Sequence, residues 1–432
     1  MDLLAALEQH AEQAEVFGIE SESTQVSFEA GEIKSSQVRE TQGVALRALI
    51  EGRLGFSAAG GRLDVEELVE NLVASAHFGE PLDLHFPAAA AGPDVTTFDP
   101  HLAEVPIARF VEIGRAVVAR LTKADADAKV DVDINRTTAR THLQNNAGAD
   151  IQHEVTGFHL SASVERVRGD DVLIVYDSFS DIGLSDDYED MVERLADKVT
   201  RAGRSAPLDS GRMPVIFSPA GAPVLLLPLL MALNGDAVQR GTSPLQDRLG
   251  DELFDARLTL WDDPTLSGRP ASASNDDEGV PTRRKALVQN GMVETFLYDL
   301  KTAALAGAES TGNGSRSLFS PPSPSTTNLI LDPGDRSLDE MLAGIERGLW
   351  VESVLGLGQG NPISGAFSNP VGLAYVIEKG EIVGRVKDVA IAGNIYEVLQ
   401  EIGGLSQESI WVRGRYHLPY IMLNELNVVR SS

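Results

Sequence analysis

The sequence predicts an α+β fold: an N-terminal helix and antiparallel-sheet domain, followed by a β-rich C-terminal domain with a barrel-like antiparallel sheet. Short apolar alternations recur along the chain, punctuated by two-residue turn signals at Glu51-Gly52, Asn290-Gly291 and Lys379-Gly380. Strand patterns dominate beyond residue 211, whereas the earlier part mixes them with amphipathic helical stretches. A chain of 432 residues exceeds one ordinary core, so two or three packed regions are expected.

Residues 1–16 read as a helix, with Leu3, Leu4, Leu7 and Ala14 near one face. Val26 and Phe28 then alternate with polar neighbours, and Ala30-Gly31 turns the chain into a strand over 32–38. Val44, Leu46, Ala48 and Ile50 form the next strand, which Glu51-Gly52 turns into 54–56. Asp64 with Glu67 three positions on is a capping-box pattern for a helix whose stripe is Leu68, Leu72 and Val73. Pro, Ala, Gly and Asp mark 81–104 as a linker between a first region, 1–80, and a second, 105–206, that packs with it.

That second region repeats the plan. A helix near 105–122 precedes strands between 128 and 182, with a hairpin tip at Arg168-Gly169-Asp170-Asp171. A helix from 187 to 203 follows, capped by Asp186 with Glu189. The C-terminal domain, 211–432, opens with Val215-Ile216-Phe217 leading into an apolar helix over 222–234. Short helices are expected near 299–306, 337–346 and 393–402, and Tyr420 to Val429 reads as a buried strand.

Composition excludes several functions. The formal charge of -28 repels phosphate backbones, and the densest basic spots, Arg283-Arg284-Lys285 and Arg413/Arg415, are too short to offset it. Direct nucleic-acid binding is therefore not expected. The absence of cysteine removes disulfides and thiolate metal ligands. The start, Met1 to Glu8, is acidic and amphipathic, unlike a signal peptide, and the longest apolar run, Ala222 to Leu233, contains Pro223 and Pro228 and is too short to span a bilayer. A cytoplasmic protein without membrane contact is the expectation.

Three constellations carry candidate chemistry. His153-Glu154 resembles half of a zinc-peptidase motif, but the next histidine, His159, lies six residues on, and 151–164 alternates like a strand, so no zinc site is expected there. Asp276-Asp277-Glu278-Gly279 could hold a metal or a substrate amine, yet from the residues alone it reads better as a polar turn with solvated acids. The glycine-rich loops Gly312-Asn313-Gly314-Ser315 and Gly356 to Gly365 lack the features of a phosphate cradle and suit close approach of backbone to backbone or to a peptide strand.

These motifs occur in a telling order. Gly235-Asp236, Arg240-Gly241-Thr242-Ser243, Asn275 to Thr282, Asn290-Gly291 and Ser310 to Gly314 resemble the TldD/PmbA family in order and spacing. Gly360-Asn361 with Gly365-Ala366-Phe367-Ser368 is similar to that family's late glycine-rich loop, and Glu378 to Ile382 and Ile391 to Asn394 to the hairpin and helix start after it. The resemblance spans 15 to 430 in plan and is carried by motifs beyond 211. TldD-like members of the family carry H-E-x-x-x-H on the helix before Gly-Asp, which binds zinc for peptide hydrolysis. Here the corresponding helix has Leu226, Leu227 and Met231 at those places and Pro228 among them, none of which ligates zinc.

The resemblance therefore implies the PmbA (TldE)-like branch, which lacks the zinc motif. It further implies a non-catalytic subunit with no catalytic residue, metal or cofactor of its own, paired with a TldD-like homologue (heterodimer) that holds the zinc, or with itself (homodimer). Peptide substrates would be small or unfolded, and Asp276, Asp277, Glu278, Gly312, Asn313, Asn361, Ser364, Phe367 and Ser368 would line the shared chamber. Two competing expectations are a homodimeric peptide-binding scaffold without peptidase activity, and a regulator linked to modulation of DNA gyrase.

Overall fold

The computed structural model describes residues 3–169 and 171–430. Strands β1 (Gln13–Glu29), β2 (Glu32–Ile50), β3 (Arg53–Gly60), β4 (Lys129–Asn145), β5 (Asp150–Arg168) and β6 (Asp171–Asp181) form one antiparallel sheet in the order β3-β2-β1-β4-β5-β6. Pairing of β1 with β4 joins the strands before the linker to those after it. Helices α1 (Leu3–Leu7), α2 (Val65–Ala76), α3 (Pro100–Glu104), α4 (Ile107–Ala124) and α5 (Tyr188–Arg201) accompany the sheet.

Alternation decides which face is covered. Val26, Phe28, Val132, Ile134, Leu160 and Val164 are buried on one face, where Phe110, Ile113 and Val117 of α4 and Met191 and Leu195 of α5 meet them. At the other end α2 sets Leu68 and Leu72 on Leu46 and Ala48. Asp64 caps α2 by accepting from the Glu67 N–H at 3.2 Å.

The C-terminal domain closes on itself. Strands Gly211–Phe217, Arg347–Val354, Ala366–Glu378, Val389–Asn394 and Tyr416–Arg430 each pair with two neighbours around a ring, the first two being parallel to each other. The result is a five-stranded barrel without a free edge. Val215, Phe217, Leu349, Val351 and Val376 face one core, which also buries the apolar helix α6 (Pro223–Ala232). Ile216, Trp350, Tyr375 and Ile377, one residue out of phase, belong to the core that contains α4 and α5. The two halves thus share apolar cover.

Several expectations are corrected. The helix over 1–16 shrinks to Leu3–Leu7, because residues pair with β2 from Gln13 and with β4 from Glu15 onward and ladder bonds override their helix propensity; Met1 and Asp2 lie outside the described residues. The 393–402 helix is a single turn, Ile395–Val398, since 389–394 is a barrel strand. The cap of α5 is Asp187, which makes no side-chain cap bond, rather than Asp186. At the β5–β6 hairpin Gly169 takes a φ of 59°, while Asp170 is outside the described residues. The 81–104 segment is anything but free: Leu82, Leu84 and Phe86 are buried, and a Cβ on Gly92 would sit 1.8 Å from the Ser274 carbonyl oxygen. Asn290 and Lys379 have φ of 50° and 51°, the left-handed geometry their Asn-Gly and Lys-Gly hairpins require.

Candidate functional site

The metal-helix position is built on α6. Residues 218–222 turn the chain out of the barrel strand Gly211–Phe217, and the Ser218 carbonyl accepts from the Gly221 and Ala222 N–H groups at 2.9 Å. Apolar residues at every position give α6 no polar face, so packing rather than amphipathicity fixes its rotation. Leu226 is buried in the barrel core, Leu227 is half-buried and Met231 is 37 % exposed. Leu227, Leu230 and Met231 are spaced to share one helix face.

Against that face lies the late glycine-rich loop. A groove of ≈ 140 Å³ runs between Leu227 and Pro228 of α6 and residues Gly356, Gln359, Phe367 and Ser368. Leu355 (56 % exposed) and Leu357 (38 %) extend the apolar surface beside it. Asn361 and Ser364 close the loop as a single 3-10 turn, with the Ser364 hydroxyl donating to the Asn361 carbonyl at 2.8 Å. Gly365 then takes a φ of 78°, packed on Tyr396 so closely that a Cβ would come within 2.5 Å of the ring.

Zinc does not fit here. The groove offers aliphatic and aromatic carbons, a serine hydroxyl and neutral amides, not the imidazole, carboxylate or thiolate donors zinc takes. Among the described residues no group of three or more His, Asp or Glu is arranged to hold a metal ion.

The acidic turn lies elsewhere, and its acids are not solvated. Asp276 and Glu278 are buried, which corrects the reading of a hydrated turn. The Asp276 carboxylate accepts from the backbone N–H groups of Glu278 (3.0 Å), Val280 (2.9 Å) and Gly314 (2.8 Å). Glu278 accepts from the Leu300 N–H at 2.7 Å and from the Arg47 guanidinium of β2. Arg47 in turn grips Glu15 of β1 with two bonds of 2.8 Å, and Arg316 reaches the same Glu15 at 2.7 Å. The network is an ionic bolt between the first sheet and the C-terminal domain.

Electrostatics follow from burial. Burial pulls Glu15 upward, but the Arg316 and Arg47 guanidiniums outweigh it and hold the carboxyl below its ordinary range. Burial, then the Glu278 carboxylate, push Asp276 up to about 8, against the three N–H donors. Glu278 is raised as well, by burial first. A Cβ on Gly314 would stand 2.5 Å from the Glu278 carboxylate, so glycine is required for this closeness.

The predicted residues thus fall into two groups. Asp276, Asp277, Glu278, Gly312 and Asn313 assemble around the bolt, where Asn313 accepts from buried Lys285 at 2.9 Å and donates to Asp262 at 2.8 Å. Asn361, Ser364, Phe367 and Ser368 assemble beside α6. Among the described residues no hydrogen bond joins the groups. His153 lies on β5 with its Nε2 buried and unpartnered among the described residues, while His159 bonds the Ser180 hydroxyl at 2.8 Å. Sequence reasoning missed Glu15, Arg47 and Arg316. Arg47 left one signal, a lone charge within the otherwise apolar run Val44 to Leu49.

A closed barrel carries an apolar helix against a glycine-rich loop and is joined by ionic contacts to a helix-backed six-stranded sheet, and the families that match this scaffold in sequence are metallopeptidases. The sequence matches the PmbA/TldA metallopeptidase C-terminal domain over 210–430 and domain 1 of the same metallopeptidases over 14–76. The chain belongs to the TldD/PmbA family, on its TldE-like side. Its fold matches TldE from Thermococcus kodakarensis with a TM-score of 0.90 and 27% identity, covering 99% of both chains. A Thermotoga maritima protein named as a candidate modulator of a DNA gyrase has a TM-score of 0.89 at 23% identity, over 99% of this chain and 98% of that one, a likeness of fold. In sequence, the chain is 24% identical to a Haemophilus influenzae metalloprotease PmbA homolog over 99% of this chain and 97% of the relative. It is 32% identical to a Methanothermobacter thermautotrophicus metalloprotease over 52% of this chain and 49% of that protein. No helix among the described residues is long and apolar enough to cross a membrane.

Proposed function

We propose that this chain is the non-catalytic, TldE-like subunit of a cytoplasmic zinc metallopeptidase assembly, working beside a TldD-like homologue that supplies the zinc. One observation carries this reading: Leu226, Leu227 and Met231 occupy the helix positions at which TldD-like chains place their ligands. The exposed side chains support a partner role. Met231, Leu355 and Leu357 present apolar surface around the α6 groove, and such a patch marks an interaction site. In this reading the second subunit covers the patch, and Phe367 and Ser368 in the groove wall line the chamber in which small or unfolded peptides are cleaved. Asp276 and Glu278 are then structural, part of the ionic contact between the first sheet and the C-terminal domain, because their carboxylates are engaged by backbone donors and by Arg47.

Reconstitution tests the reading. The chain alone is expected to leave unstructured peptides intact and to support their cleavage once a TldD-like chain is added. Cleavage by the isolated, chelator-treated chain would sink it. A direct role on DNA is disfavoured by the charge of -28.

A further inference from the structure

We propose that the outer edge of β2 between Ser36 and Gln42 takes up an extended peptide as an added strand, one that sets a lysine or arginine beside Glu40. This goes beyond the role assigned above, since it concerns the first sheet and not the α6 groove.

The edge is open for a geometric reason. β2 pairs with β1 along its whole length, but β3 reaches only to Gly43, opposite Gly60. The last bond toward that side is the Gly61 N–H to the Gln42 carbonyl at 2.9 Å. By the two-residue alternation the backbone groups of Glu40, Val38 and Ser36 point the same way, and none has a partner among the described residues. Residues 36–42 are all exposed. Proteins usually blunt such edges with proline, lysine or a bulge. Here Lys34 stands at the one irregularity, where the register with β1 shifts near Phe28, and the stretch beyond it is regular and proline-free.

Charge selects the occupant. Glu40 lies directly across from Glu22, an unfavourable like-charge pair. Arg136 satisfies Glu22 at 3.2 Å, whereas Glu40 has no cation among the described residues. A basic side chain on an added strand would flank Glu40 from its open side. On the opposite face Arg39 has no acid paired with it among the described residues, so the neighbouring peptide position favours Asp or Glu. A trough of ≈ 570 Å³ adjoins the edge, lined by Glu20, Glu22, Glu40, Phe98 and the Arg140–Glu154 ion pair, so its carboxylates outnumber its one guanidinium and it has room for a long basic side chain. Backbone pairing supplies affinity and the alternate side chains supply selectivity.

The test uses the full chain and a fluorescein-labelled peptide of alternating threonine and valine that carries two lysines, with a two-glutamate counterpart. Anisotropy reports binding, and hydrogen exchange reports the amides of Val38 and Glu40. The lysine peptide is expected to bind and to protect both amides. Val38→Pro removes only an outward N–H, so it should abolish binding and leave the melting temperature near that of the parent. Glu40→Lys should shift the preference toward the glutamate peptide by about five-fold. Binding that survives Val38→Pro, or saturates without protecting these amides, overturns the proposal. So does a lack of binding up to about 1 mM. Protection that rises with protein concentration in the absence of peptide would make a second copy the occupant and overturn it too. Neither variant touches the α6 groove, so peptide cleavage with a TldD-like chain is read separately.

Discussion

Replacing Arg47 by methionine probes the bolt that holds the two halves in register. The Arg47 side chain is 1% exposed and bridges Glu15 and Glu278, which are fully buried. Methionine keeps much of the aliphatic volume beneath Phe86 while removing the charge. Glu15 retains Arg316, but Glu278 keeps only the Leu300 N–H and becomes a buried carboxylate without a cation. Breaking a buried pair from one side costs about 3–5 kcal/mol, a large share of a total stability of about 5–15 kcal/mol. Urea unfolding should show the midpoint falling with an unchanged slope. Adding Glu278→Gln removes the orphaned charge, so the double variant should be more stable than Arg47→Met alone. A loss below about 1 kcal/mol for Arg47→Met, or two losses that simply add, would refute the reasoning.

Other sites give independent checks. Asp276 keeps its proton up to about 8 in the folded chain but releases it near 3.8 when unfolded, so the native state binds more protons between those values and stability should fall as pH rises through that window. Asp276→Asn should flatten the fall, read from urea midpoints across it. Leu226→Ala should cost about 2–5 kcal/mol by calorimetry because the side chain is in the barrel core. Leu355→Glu sits on exposed surface, so it should leave the melting temperature nearly unchanged while weakening co-purification with a TldD-like chain. Gly314→Ala should destabilise by pressing a methyl into the Glu278 carboxylate, visible as a lowered melting temperature.

Local features were legible in the sequence wherever their causes are local. Asn290-Gly291 and Lys379-Gly380 specify turns through backbone conformation alone, and both hairpins form. Leu226, Leu227 and Met231 declare by residue type that the helix does not ligate zinc. What the sequence concealed is set by distant pairing. Glu15 and Arg316 are 301 positions apart, and Arg47 and Glu278 are 231 apart, so no window joins them. The turn at Asp276 looks hydrated because such acids usually are; here the 81–104 segment, packed on Ser274, and the Gly314 loop cover it. The stretch after Leu7 reads as helix because Glu, Gln and Ala favour one, yet the chain turns over 8–12 and two flanking strands claim it from Gln13 and Glu15 onward.

Zinc content, measured on the chain purified alone and on its complex with a TldD-like homologue, bears most directly on the subunit role. A metal-free wall predicts no stoichiometric zinc in the isolated chain and zinc in the complex held by the other subunit. Tight zinc in the isolated chain, lost on altering residues 226 to 231, would contradict it.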